Sequence, residues 1–188
     1  MKIIGILGDI GSGKSYTAQC FGYPVFNADE EVAKLYRKDK KIFFKLKKKL
    51  PKFILKFPIE KKEISKAILE DKKNLKDIIK IIHVEVKKKM NIFLRRNQNK
   101  KIVILDIPLL LENKINKKNY ILIYVQSNKN EILRRLKKRK NFNKKLYGMF
   151  KNIQLPLEYK KRKSNFLIKN DFTKKSVMKE IRNILKKI

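Results

Sequence analysis

Cysteine is nearly missing from this chain: Cys20 stands alone among 188 residues, so no disulfide can form within it. Histidine is equally scarce. His83 is the single one, and with no second His or any Cys near it a transition-metal site has too few ligands. No apolar run approaches the ~18 residues that a membrane span needs. A strand-like run begins at Lys2, which leaves no room for a signal peptide ahead of it. A cytoplasmic setting is expected from these absences together. Acidic residues are few as well, 17 Asp and Glu against 51 Lys and Arg, for a net charge of +34.

A charge of that size invites a nucleic-acid reading. Its distribution argues against one. Lysines are spread over nearly every segment, mostly as Lys rather than Arg, and no basic motif is interleaved with aromatics. With abundant Ile and Asn and only 6 Gly and 5 Pro, this is the composition of codons drifting towards A and T. Most lysines are therefore expected at the solvated surface, with no specific nucleic-acid partner and no membrane partner. The 43% of hydrophobic residues are enough for one domain with a core.

What is present is concentrated in one stretch. Gly8-Asp9-Ile10-Gly11-Ser12-Gly13-Lys14-Ser15 reads G-x-x-x-x-G-K-S, the phosphate-binding P-loop pattern. Glycines let successive N–H groups converge on one hollow at a helix N-terminus, where phosphate oxygens bind. Lys14 is expected to reach the β- and γ-phosphates and Ser15 to offer its hydroxyl to Mg²⁺. The flanks fit: Lys2 to Leu7 is a short β-branched apolar run, and Tyr16 to Phe21 suits a helix that Gly22 can end. Asp9 puts an acid beside the phosphates, at a variable position where its side chain can point outward.

Further along, Tyr23 to Asn27 reads as a second strand. Asp29 follows it, either as the N-cap of the next helix or as an acid at a carboxyl end of the sheet, able to take a proton from an attacking hydroxyl. From 30 to 98 the spacing is helical, broken around Pro51 and Pro58. His83 lies near the end of this stretch, where a lone helical His is either packed or functional. Lys101 to Asp106 is a third strand ending in an acid, the form taken by an Asp that supports Mg²⁺. Tyr120 to Val125 is a fourth strand. Arg134, Arg135 and Arg139 follow it, either a phosphate-binding cluster or a solvated helix face. Residues 141–163 are polar, Lys-rich and weakly periodic, like a mobile lid. Phe166 to Ile168 is a short fifth strand, and an amphipathic helix closes the chain.

These pieces together resemble the dephospho-coenzyme A kinase family. The resemblance rests on the Gly8–Ser15 loop, on Asn27-Ala28-Asp29, on Asp71, Leu75 and His83-Val84, on Ile107-Pro108-Leu109-Leu110-Leu111-Glu112, on Gln154-Leu155-Pro156-Leu157-Glu158-Tyr159-Lys160, and on Ser164 to Asn170. It implies an α/β P-loop fold with a five-stranded parallel sheet as the core (1–29, 99–139 and 164–188), a helical coenzyme-binding insertion (30–98) and a lid (140–163). It implies ATP and Mg²⁺ as cofactors, with Ser15 and Asp106 at the metal. The reaction implied is phosphorylation of the ribose 3′-hydroxyl of dephospho-coenzyme A, by a monomer or weak homo-oligomer.

The resemblance also implies roles. Asp29 matches the base and Lys14 acts at the transferring phosphoryl; Arg135, counted with them as catalytic, falls on an arginine near bound ATP; Gly8, Gly11, Ser12, Gly13, Lys14, Ser15 and Arg139 hold ATP. His83, Pro108, Leu109, Glu112 and Lys160 fall in the acceptor site, Lys160 with Arg139 being a lid cation. The sequence departs from the pattern at Asn27, where the family has Asp, at Asp9 and Val84, at Asn165, and after Asn170, where the family's glycine is absent. Asn27 cannot act as a base. Two other readings stay open: another small-molecule or nucleotide P-loop kinase, and a basic nucleic-acid-binding protein with a vestigial P-loop.

Overall fold

The computed structural model describes residues 1–140 and 142–188; Asn141, in the expected lid segment, lies outside the described residues. The chain divides into two compact units. The first contains Met1–Asn27, Leu94–Phe142 and Ile153–Ile188. Its core is a five-stranded sheet of β1 (Lys2–Gly8), β2 (Val25–Asn27), β3 (Ile102–Asp106), β4 (Ile121–Gln126) and β5 (Phe166–Lys169), in the order β2-β3-β1-β4-β5. Every pairing is parallel. Parallel strands are covered on both faces, which is why these segments read as unbroken Ile, Leu and Val rather than as alternation.

On one face Ile4, Ile6, Ile102, Ile104, Ile123, Val125 and Ile168 pack with Ala18 of α1 (Lys14–Cys20) and with Val177, Ile181 and Ile184 of α9 (Lys174–Leu185). The spacing of those three α9 residues is the apolar stripe of an amphipathic helix, and Thr173 caps it by accepting from the Ser176 N–H at 3.3 Å. On the opposite face Gly5 admits two leucines. A Cβ there would come within 2.6 Å of Leu110 Cδ2 and 3.0 Å of Leu122 Cδ2. With β3 on one side of β1 and β4 on the other, the strand order reverses at β1, so the crevice beyond its carboxyl end is the place for a ligand.

The second unit, Ala28–Phe93 with Asn143–Asn152, is helical. It holds α2 (Ala28–Lys38), α3 (Lys40–Lys49), α4 (Lys61–Glu70), most of the 25-residue α5 (Lys72–Arg96) and α7 (Lys144–Asn152). Asp39 caps α3 by accepting from the Ile42 N–H at 3.0 Å, and a reciprocal capping box of Glu60 and Glu63 opens α4. Leu35, Ile42, Leu46, Ile54, Ala67, Ile68, Leu75, Ile78 and Ile82 are buried. Pro51 and Pro58 fall between α3 and α4, as their helix-breaking chemistry requires.

One local expectation is corrected. Helix α2 starts directly from β2, so Asp29 is its second residue and not its N-cap. Within the segment expected as a lid, α7 (Lys144–Asn152) is followed by a short helix, α8 (Leu157–Arg162). Helix α6 (Lys129–Lys137), capped by Asn128, completes the first unit.

Candidate active site

Beyond β1 the backbone of the phosphate loop is shaped by contacts that only glycine allows. Gly13 has φ 88°, and a Cβ on it would come within 2.4 Å of Asn170 Nδ2. Gly8 has φ 148°, and a Cβ there would meet Val125 O at 2.6 Å and Ser12 Oγ at 2.7 Å. Both positions therefore exclude any side chain. Lys14 opens α1 and is buried, its Nζ donating to Asp9 O at 2.7 Å and Gly8 O at 3.3 Å. Ser15, in the first turn, is exposed. Ser12 is buried, with no hydrogen-bond partner for its Oγ among the described residues.

Two residues that sequence reasoning did not select hold this loop in place. Ser12 O accepts from Asn170 Nδ2 at 2.8 Å and from Ser127 Oγ at 2.9 Å. Asn170 is 3% exposed, and its Oδ1 accepts from the Phe172 N–H at 2.8 Å. Its place in the Ser164–Asn170 segment is the one signal that could have found it; Ser127 left none.

Asp9 does not point outward. It is buried, and its Oδ1 accepts from the Ile10 N–H at 2.7 Å. With Ser12, Tyr124, Ser127, Glu158 and Lys161 it lines a cleft of about 350 Å³. Burial first, then the negative charges of Asp9 and Glu158, push the Tyr124 hydroxyl above its ordinary pKa, so it stays protonated at neutral pH. Asp106, at the end of β3, is 3% exposed, and its Oδ2 accepts from Asn27 Nδ2 at 3.1 Å. A buried carboxylate and an exposed hydroxyl, Asp106 and Ser15, are hard oxygen donors that suit a small divalent cation. Among the described residues no group of three or more His, Cys, Asp or Glu is arranged to hold a metal ion.

Arg135 projects from α6. Its Nε donates to Glu131 Oε1 at 3.1 Å, and its guanidinium lies 4.2 Å from the centroid of the Phe172 ring. Arg134 pairs with the same Glu131, at 2.8 and 2.9 Å. Arg139 is exposed just past the helix. Pro108 and Leu109 follow β3 in a partly buried turn, with Glu112 close behind. Glu112 Oε1 accepts from Lys160 Nζ at 2.6 Å and from the Leu155 N–H at 3.0 Å. Lys160 is 1% exposed, so its ammonium is spent inside the protein and not offered to solvent.

In the helical unit Asp29 is exposed in the first turn of α2, beside Glu30 and Glu31. His83 sits on α5 with its Nε2 buried and without a hydrogen-bond partner among the described residues. Burial, then the Lys87 charge, lowers its pKa below the ordinary 6.5, so the imidazole is neutral at pH 7. Val84, beside it, is exposed. Asn165 ties β4 to the start of β5. The Leu122 N–H donates to its Oδ1 at 2.8 Å, and its own N–H donates to Leu122 O at 2.8 Å. An Asp could accept the same bond.

A five-stranded parallel sheet, a glycine loop clamped at the end of its central strand, and a lysine and a serine opening the following helix define a P-loop phosphotransferase. A family model for dephospho-CoA kinase matches residues 2–176, and the chain belongs to that family. A dephospho-CoA kinase from Wolbachia sp. subsp. Brugia malayi is 34% identical, over 97% of this chain and 96% of the relative. One from Bartonella quintana is 35% identical, over 99% of this chain and all (100%) of the relative. A crystal structure from Thermus thermophilus superposes with a TM-score of 0.80 at 25% identity, covering 100% of this chain and 97% of that one. The fold is shared more distantly with a shikimate kinase from Acinetobacter baumannii, TM-score 0.52 at 13% identity, over 99% and 92% of the two chains.

Proposed function

We infer that this chain transfers the γ-phosphoryl group of ATP to the ribose 3′-hydroxyl of dephospho-coenzyme A, giving coenzyme A and ADP. The observation that carries this reading is the clamped loop ending in Lys14 and Ser15, in a chain whose family match runs nearly end to end. Backbone N–H groups of Gly11 to Ser15 receive the phosphates at the N-terminus of α1. Lys14 counters the charge that develops on the transferring group, and its present partners include two loop carbonyls. Ser15 and Asp106 are the residues to hold Mg²⁺, which when bound supplies further charge neutralisation.

Asp29 is assigned as the base that takes the 3′-hydroxyl proton. It is exposed, and it follows directly on the carboxyl end of β2, the end of a parallel sheet at which ligands sit. Arg135 and Arg139 are assigned to the nucleotide, and His83, Pro108, Leu109 and Glu112 to the acceptor. A neutral imidazole lets His83 accept or donate a hydrogen bond without importing charge. Lys160 acts through Glu112: the buried pair positions that carboxylate and ties α8 down.

The deciding measurement is ADP release from ATP·Mg²⁺ with and without dephospho-coenzyme A, for the wild type and Lys14→Ala. Acceptor-dependent release that vanishes in the variant is expected. Release that ignores the acceptor, or survives loss of Lys14, overturns the assignment.

A further inference from the structure

Phe172 holds a backbone conformation that aromatic residues avoid. Its φ is 67°, in the left-handed region, where a bulky side chain is strained. What keeps it there is Asn170. One face of that side-chain amide accepts from the Phe172 N–H at 2.8 Å, and the other donates to Ser12 O at 2.8 Å. A single buried amide thus bolts Phe172 to the phosphate loop. The ring itself lies against the loop: its Cε1 is 3.7 Å from where a Cβ on Gly13 would sit. The side chain is half-buried, and the guanidinium of Arg135, which donates to Glu131, lies over the ring 4.2 Å from its centroid.

Strain at a position that makes no use of it is selected against, since glycine would relieve it at no steric cost. The ring must therefore return something. Beside a triphosphate cradle, the flat group that remains to be placed is the nucleotide's base, and aromatic rings and guanidinium planes are the surfaces on which bases stack. We propose that Phe172, with Arg135 lying over it, is the base-stacking platform of the nucleotide site and sets the affinity for ATP. The proposal rests on the nucleotide-binding assignment above and extends it. Stacking grips any purine by its face and reads no edge, so discrimination between ATP and GTP through this platform is weak.

The test compares wild type, Phe172→Gly and Phe172→Leu by calorimetric titration with ATP·Mg²⁺ and, separately, with tripolyphosphate·Mg²⁺, which has no base. Phe172→Gly is expected to weaken ATP binding by about 5- to 150-fold, the worth of one base stack, and to leave tripolyphosphate binding unchanged. Its thermal midpoint should hold or rise, because the strained backbone is relieved. Phe172→Leu keeps the apolar bulk but loses the ring face, and should also lose ATP affinity. Since the chain has no tryptophan, Phe172→Trp adds a reporter whose emission ATP should change and tripolyphosphate should not. Equal ATP affinity in wild type and Phe172→Gly would overturn the platform. Parallel loss of ATP and tripolyphosphate binding would do so too, by showing a disturbed loop. Failure of the wild type to bind either ligand would instead remove the nucleotide assignment on which the platform depends.

Discussion

Asn27 donates from its Nδ2 to Oδ2 of Asp106 at 3.1 Å, across a β2–β3 register that sets the two residues directly side by side. The amide gives the buried carboxylate a neutral neighbour. Asn27→Asp would place two carboxylates about 3 Å apart, and both cannot be ionised cheaply. One of them would titrate above its unfolded value, so the folded state would hold a proton that the unfolded chain releases. The variant's stability should then fall as pH rises through the raised pKa. Urea midpoints measured for both proteins at pH 5 and pH 7.5 should show a deficit that is larger at pH 7.5. An equal deficit at both pH values would mean that the two carboxylates do not interact.

The buried pair of Lys160 and Glu112 predicts strong non-additivity. Removing one partner leaves an uncompensated charge inside the protein, so Lys160→Met should destabilise by about 3–5 kcal/mol. Glu112→Leu made together with Lys160→Met should recover part of that loss, because no charge then remains buried. A double-mutant cycle from denaturant titrations measures the coupling, and additive losses would show that the pair is not an energetic unit.

Asp29→Asn should lower kcat by roughly 10²–10⁴-fold, the usual worth of a general base, with little change in either KM. The substitution is nearly isosteric at an exposed site, so folding should be intact. Near-wild-type kcat would remove Asp29 from the proton transfer.

His83 gives a clean titration because it is the single histidine. Its proton resonance should shift with a midpoint below 6.5, since burial disfavours the imidazolium. As pH falls through about 6.5 the unfolded chain takes up a proton that the folded state refuses, so stability declines until the folded midpoint is reached. His83→Gln should flatten the stability profile across that window. A midpoint above 6.5 would contradict the burial of Nε2.

Much of the fold was legible in the sequence because the sheet is parallel. Strands buried on both faces leave continuous apolar runs, and Lys2 to Leu7, Lys101 to Asp106 and Tyr120 to Val125 all lie on or beside observed strands. The phosphate loop was legible for a different reason: its glycines are fixed by local backbone geometry, which a short string can encode. Long-range pairings were not. Nothing near Lys160 marks it as buried in a chain where lysine covers every surface, and its partner Glu112 belongs to another segment. Helices α7 and α8 were hidden by dense lysine and by Gly148, which weaken the periodic signal. The outward placing of Asp9 failed because its carboxylate is used locally, on the Ile10 N–H.

The bond from Asn170 to Ser12 joins residues 158 positions apart. During synthesis the glycine motif emerges among the first residues, while the amide that fixes it arrives near the last strand. The flanking strands β3 and β4, which pair with β1, also come late. A partly made chain thus carries the full motif before the strands that flank it and the amide that holds it have been made.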